Sequence, residues 1–231
     1  KLIKKEEIIN NIYKFTVKAP EIVESAKPGN FIEIRVTDGI DPFLRRPISI
    51  YNLDKENGIL EFIFQVKGKG TEILAKKEEG NDIDIIGPLY ELSKQAKQND
   101  VKVNCYLGFR NKDFVMLEKE FEEVTDKLII TTDDGTYKNK GFAIDYLKDD
   151  MENEKYDCIY ACGPLPMLKA VQKYAVENNI DCQLSLEEKM ACGLGVCLGC
   201  AVKTAKSPKD APEYWHVCKG GPVFNAKDVE I

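Results

Sequence analysis

Four apolar, β-prone runs decide the fold of the middle of this chain: VKVNCYLGF (101–109), KLIITT (127–132), YDCIYAC (156–162) and DCQLSLE (181–187). Between them lie stretches of helical character around Val115–Val124, Phe142–Leu147 and Met167–Glu177. A further helix-like stretch, LYELSKQAKQ (89–98), precedes the first run. Strand and helix alternating with short links require right-handed crossovers, and so a parallel sheet over residues 89–187. Sheets of this kind bind ligands beyond the carboxyl ends of their strands.

On the N-terminal side, residues 1–88, the rhythm changes to a period of two. Tyr13, Phe15 and Val17 alternate with Lys14, Thr16 and Lys18, the pattern of a half-buried strand. Phe31, Ile34 and Val36 follow the turn signal Pro28-Gly29, and ILEFIFQV (59–66) follows DKENG (54–58). A short helix is expected through TEILAKK (71–77), and a last strand, Asp82–Ile86, is closed by Gly87-Pro88. Several short strands with one small helix predict an antiparallel β-barrel. On the C-terminal side, residues 188–231 lose periodicity and hold four of the eight cysteines. They read as a small lobe organised by a metal rather than by an apolar core.

The bulk properties narrow the function. The chain has 231 residues, 43% of them hydrophobic, which supports a sizeable globular core. A net charge of −6 argues against a nucleic-acid partner, because phosphate contacts demand a basic surface. No apolar run of about 18 residues predicts a membrane span. The N-terminus, KLIKKEEIINNIYKF, is charged throughout and carries no signal-peptide pattern. Eight cysteines without an export signal read as reduced or metal-bound thiols in a cytoplasmic protein rather than as disulfides.

Within the lobe the spacing is C-x4-C-x2-C-x17-C, at Cys192, Cys197, Cys200 and Cys218. Thiolates suit iron–sulfur clusters and zinc. Three ligands in one short loop with a distant fourth match the plant-type ferredoxin pattern of a [2Fe–2S] centre. Structural zinc usually shows two separated pairs of close ligands, and remains the alternative as a non-catalytic interaction module. In CGLGVCLGC, Gly193, Gly195 and Gly199 let the backbone curl and turn N–H groups toward the sulfurs. His216 is the only histidine, so a Rieske centre, which needs two, is closed. Cys105, Cys158 and Cys182 read as small buried hydrophobes, while Cys162 ends a strand where a ligand crevice belongs. KKEE (76–79) and EKEFEE (118–123) read as solvated helix faces. Tyr214 and Trp215 either dock a partner or cover the cluster.

Two short motifs stand in the barrel half. Arg45-Arg46-Pro47-Ile48-Ser49 offers an arginine fork suited to a diphosphate. Gly68-Lys69-Gly70-Thr71 opens a helix with N–H groups available to a phosphate. Each alone is equally explained by ordinary strand and turn chemistry.

Together, RPxS, a strand, and GxGT at a helix start resemble the FAD-binding barrel of the ferredoxin–NADP reductase superfamily. LGFRNKD, TTDDGTYKNKG, YACGPLPMLKAV, SLEEKMACGLGVCLGC and HVCKGGPVF are similar to one branch of it, the electron-transfer subunits of NAD-linked (type B) dihydroorotate dehydrogenases. The resemblance implies that Arg46, Pro47, Ile48 and Ser49 hold the flavin edge and diphosphate. It implies that Ile63, Phe64 and Gln65 line the flavin or its ribityl chain, and that Gly70 and Thr71 bind the diphosphate. It gives Cys192, Cys197, Cys200 and Cys218 to the cluster. An FMN-containing catalytic subunit would be the partner, in a heterotetramer with two copies of each chain. Electrons would run through the cluster and FAD to NAD+ in pyrimidine biosynthesis. The small flavin subunit of an NADH-dependent ferredoxin:NADP oxidoreductase or sulfide dehydrogenase shares the barrel and a related cysteine loop, and is the rival.

The sequence departs from this family at one place. Gly87-Pro88 runs straight into Leu89-Tyr90-Glu91-Leu92. Roughly thirty residues, about the size of one strand and its connection, are missing there. The missing strand is expected to be the first and central one of the parallel sheet, with the glycine-rich loop that shapes the nicotinamide site. Three explanations stay open: a segment left out of this sequence, a natural deletion whose sheet closes differently, or a partner that fills the gap.

Overall fold

The computed structural model describes residues 1–26, 30–86, 101–208 and 210–231. The turn at Pro28-Gly29, Gly87-Pro88 and the helix-like stretch 89–98 lie outside the described residues. The chain divides into two compact units, Lys1–Gln95 with Met190–Gly193, and Ala96–Lys189 with Leu194–Ile231.

The first unit is built on strands β1 (Leu2–Ile9), β2 (Ile12–Lys18), β3 (Phe31–Arg35), β4 (Arg46–Asp54), β5 (Ile59–Gln65) and β6 (Asp84–Ile86). They form one antiparallel sheet in the order β1-β2-β5-β4-β3-β6. The Leu2 N–H donates to the Asn81 carbonyl (2.9 Å), and the Gly80 N–H donates to the Leu2 carbonyl (2.8 Å). The sheet therefore curls until its first strand meets the approach to its last. Alternation does the work that the sequence predicts: Phe15, Val17, Leu60, Phe62 and Phe64 point inward. Phe15 meets Phe62 and Phe64 at ring-centroid distances of 5.6 and 5.1 Å. Helices α1 (Pro20–Ser25) and α2 (Lys69–Ala75) cap this core through Val23 and Leu74. KKEE (76–79) lies just past the end of α2 rather than on a helix face.

The second unit begins with β7 (Asn104–Phe109), α3 (Glu118–Val124), β8 (Lys127–Thr132), β9 (Asn139–Lys140) and α4 (Ala143–Met151). It continues through β10 (Cys158–Cys162), α5 (Leu165–Glu177) and β11 (Asp181–Ser185). The pairs β7–β8, β8–β9 and β10–β11 are parallel, as the alternation requires. Among the described residues, however, no strand joins β7 to β10: the sheet stands as β7-β8-β9 and, apart from it, β10-β11 with the later strand β14 (Val223–Asn225).

The C-terminal segment corrects one expectation. It buries apolar side chains, Val202, Val217, Phe224, Ala226 and Val229 among them. Strands β12 (Ala201–Thr204), β13 (Tyr214–His216) and β15 (Val229–Glu230) make a small antiparallel sheet, with α6 (Val217–Gly220) after β13. Strand β14 (Val223–Asn225) pairs antiparallel with β11 and extends the α/β sheet. The periodicity was hidden because these strands are only two to four residues long.

Candidate functional site

In the barrel unit the two weak motifs come together. Strand β4 delivers Arg46, and the side chain folds over the first turn of α2. A Cβ added at Gly70 would lie 2.2 Å from Arg46 Nε and 2.7 Å from Nη2, so any larger residue would push the guanidinium out of its present place. Arg46 Nη1 donates to the carbonyls of Leu44 (2.8 Å) and Arg45 (3.2 Å), which fixes the group from behind. The Thr71 hydroxyl accepts from the Lys67 N–H (2.9 Å) and the Gly68 N–H (3.2 Å), and donates to the Gly68 carbonyl (2.9 Å). Thr71 thus shapes the turn itself, and its hydroxyl is already committed.

The remaining candidates divide by strand period. Pro47 and Ser49 lie exposed on β4, while Ile48 between them is buried. On β5, Ile63 and Gln65 face outward, and Phe64 is 5% exposed in the core. Alternate residues of a strand face opposite ways, and the side chains of Ile48 and Phe64 belong to the core, which leaves their backbone as the part that could meet a flavin. Arg45 also has a different task. Its guanidinium donates to both Asp84 carboxylate oxygens (2.8 and 3.0 Å) and to the Glu33 carbonyl (3.3 Å), tying β4 to β3 and β6.

Glu33 was not foreseen. Strand β3 reads FIEIR, in which a lone acid between apolar residues should face solvent. Instead Glu33 is 4% exposed, and among the described residues neither carboxylate oxygen has a hydrogen-bond partner. Gly193 of the cysteine loop covers it. A Cβ at Gly193 would lie 2.8 Å from Glu33 Oε1, and Gly193 has φ +68°, so both space and backbone require glycine. Burial pushes the Glu33 carboxyl above the usual carboxylate range; Arg45 pulls it back, and the Cys192 thiol adds to the rise.

In the second unit, Cys197, Cys200 and Cys218 lie on the loop before β12 and on α6. The Cys218 N–H donates to Cys200 Sγ (3.4 Å), and the Gly195 N–H donates to Cys218 Sγ (3.1 Å). Backbone N–H groups aimed at sulfur suit a thiolate centre carrying negative charge, about −2 for two ferric ions, two sulfides and four thiolates. The chemistry of the donor set therefore fits a cluster. None of the eight cysteines forms a disulfide. Among the described residues, no three His, Cys, Asp or Glu side chains sit together at metal-holding distance. The structure brings Cys200 to Cys218 and arranges the N–H donors; it does not gather all four thiols. Trp215 stacks on Phe224 at 5.9 Å, while Leu194, Val196, Leu198 and Tyr214 stand exposed.

The comparisons with known proteins follow this anatomy. Residues 1–93 match the model of an oxidoreductase FAD-binding domain, and residues 86–173 that of an oxidoreductase NAD-binding domain. Residues 187–230 match the iron-sulfur cluster binding domain of dihydroorotate dehydrogenase B. A "Dihydroorotate dehydrogenase B (NAD(+)), electron transfer subunit" of Fusobacterium nucleatum is 37% identical, covering 97% of this chain and 95% of its own length. This chain belongs to that family. The subunit of the same name from Bacillus cereus is 34% identical, covering 100% of this chain and 97% of its own. That alignment runs over 257 residues against the 231 present here, so 26 aligned positions have no residue in this chain. That number is close to the roughly thirty residues expected to be missing after Pro88.

Among solved structures, a chain from the study of flavin-based electron bifurcation in an NADH-dependent reduced ferredoxin–NADP oxidoreductase superposes with a TM-score of 0.87. It is 27% identical and covers 99% of this chain and 88% of its own length. The ferredoxin reductase of carbazole 1,9a-dioxygenase, at TM-score 0.62 and 16% identity, covers 78% of this chain and 64% of its own and shares the fold alone.

Proposed function

We propose that this chain is the electron-transfer subunit of a dihydroorotate dehydrogenase, passing electrons from the FMN of a catalytic partner toward NAD+. The observation that carries the reading is the coexistence of the Arg46–Gly70 cradle with N–H groups directed at Cys200 and Cys218, in a chain matched over its length by subunits of that name.

When bound, FAD and a [2Fe–2S] cluster supply the electron-carrying chemistry. The protein supplies position and electrostatics. Arg46, pinned by two carbonyls, offers its remaining N–H groups to a diphosphate beside Gly70. The backbone of Pro47 and Ser49, with the outward side chains of Ile63 and Gln65, presents the barrel face toward a flavin. Cys192, Cys197, Cys200 and Cys218 supply the thiolates, an assignment that rests on their spacing. The exposed apolar side chains Leu194, Val196 and Leu198 suit docking of the FMN-bearing subunit, two copies of each chain forming the complex. No helix among the described residues is long and apolar enough to cross a membrane, which agrees with work in the cytoplasm in pyrimidine biosynthesis.

The test is the composition of the purified chain. Iron, sulfide and FAD in a 2:2:1 ratio, by the definition of the cluster, are expected; a colourless protein with stoichiometric zinc would refute the reading. Because of the oxidoreductase superposition, co-purification decides the partner. An FMN-only catalytic subunit supports the proposal, and a large flavoprotein with two clusters supports the rival.

A further inference from the structure

We propose that Glu33 tunes the reduction potential of the cluster held by Cys192 and its fellow cysteines. The inference rests on the cluster assignment above. Glu33 touches no reacting atom and acts through the cysteine loop, so it is a positioning residue.

Three observations place it there. The side chain is 4% exposed, and among the described residues both of its oxygens lack hydrogen-bond partners. Buried carboxyls in that condition are disfavoured unless a polar or charged group completes their surroundings. Next, the neighbour that covers it is Gly193, the residue after Cys192, whose absent side chain leaves room for the carboxyl: a Cβ there would lie 2.8 Å from Oε1 and 2.9 Å from Cγ. Finally, Glu33 lies directly across the sheet from Pro47, inside the arginine–proline motif on β4. One side chain therefore borders both the flavin-facing strand and the first ligand of the cluster.

The physical consequence follows from charge. Reduction of a cluster adds one electron and one negative charge to the thiolate centre. A carboxyl in a dry, low-dielectric position acts on that change far more strongly than one in water. A carboxylate opposes the electron; a protonated acid donating toward sulfur favours it. Either way the cluster's potential depends on Glu33, while no proton has to pass through it.

The experiment uses Glu33→Gln and Glu33→Met in the full chain carrying FAD and cluster. Iron, sulfide and FAD contents are measured first. The cluster is then titrated potentiometrically by electron paramagnetic resonance, and the FAD optically. Both variants are expected to keep their cofactors. In Glu33→Met the oxidised-to-reduced ratio of the cluster at fixed potential should change about tenfold, equivalent to 59 mV for a one-electron couple, with a smaller change at FAD. An upward shift in both variants identifies a carboxylate. A downward shift in Glu33→Met, with Glu33→Gln close to the parent, identifies a donating acid; both results support the proposal. Unchanged cluster midpoints in both variants overturn it. So does loss of the cluster from both, which would assign Glu33 to packing. A parent chain that contains no iron would instead sink the cluster reading beneath it.

Discussion

Among the described residues, the six strands of the first unit form one continuous sheet, whereas the parallel strands of the second stand in two pieces, β7-β8-β9 and β10-β11, the latter extended by the antiparallel β14. The contrast comes from how each sheet is built. In the antiparallel sheet two neighbour pairs, β1–β2 and β4–β5, are joined by short connections, so those pairings are specified locally. A parallel doubly wound sheet depends on a central strand with neighbours on both sides, and its two halves are connected only through that strand. A segment missing near its start would therefore leave the barrel whole and divide the parallel sheet. The flavin cradle belongs to the robust region. The nicotinamide crevice belongs at the divided one, at the point where the strand order reverses.

The largest expected effect tests the barrel's integrity. Phe62, fully buried between Phe15 and Phe64, should cost about 3–5 kcal/mol when replaced by Ala, read as a lowered denaturant midpoint with loss of bound FAD. Next comes the cradle. Gly70→Ala sets a methyl group against the Arg46 guanidinium and should weaken FAD binding about a hundredfold, roughly 2.7 kcal/mol, with the fold unchanged by circular dichroism. The divided sheet should show itself in nicotinamide affinity. NADH is expected to reduce the bound FAD only toward about millimolar concentration, near 4 kcal/mol of binding, while dithionite reduces it at once. Complete reduction by micromolar NADH would mean that a strand completes the sheet.

A smaller effect concerns what holds the β7–β8 half. Asp150 accepts from Lys127 (2.6 Å) and Tyr106 (2.5 Å), and these bonds, Lys127 first, hold its carboxyl below the usual range. A depressed carboxylate stabilises the fold above its unfolded value, and that contribution is lost as pH falls through the folded one. Asp150→Asn should cost about 1 kcal/mol at neutral pH and flatten the loss of stability on acidification. The least conspicuous outcome is one of no reaction. Burial pushes Cys105 up to about 11 and Cys182 up to about 12, so neither thiol should label in the native protein at pH 8, whereas both should in denaturant.

Much of this was legible in the sequence because periodicity is. The alternation at Tyr13–Lys18 and the run KLIITT predict their strands, and Asn139–Lys140, only two residues long, has no pattern to read. The gap expected after Pro88 shows in the sequence as one motif running too soon into the next. What stayed hidden lay in contacts between segments far apart in the chain. Arg46 and Gly70 each looked ordinary, and their meaning comes from being stacked together. Glu33 looked like a solvent-facing residue because the alternation rule assumes one free face, and here residues 190–193 cover that face. The strand rule also sorts the flavin candidates more finely than motif position does: Ile63 and Gln65 face out, while Ile48 and Phe64 turn in.

The central claim is that electrons reach the FAD of this chain through the cluster on its cysteine loop. The direct measurement is anaerobic mixing of the loaded chain and its FMN-bearing partner with dihydroorotate, following the cluster by electron paramagnetic resonance and the FAD by its absorption, for the parent and for Cys200→Ser. The account predicts reduction of both centres in the parent, and in Cys200→Ser a chain that keeps FAD but no longer reduces it from dihydroorotate. FAD reduction at the parental rate in a Cys200→Ser chain without cluster would contradict it.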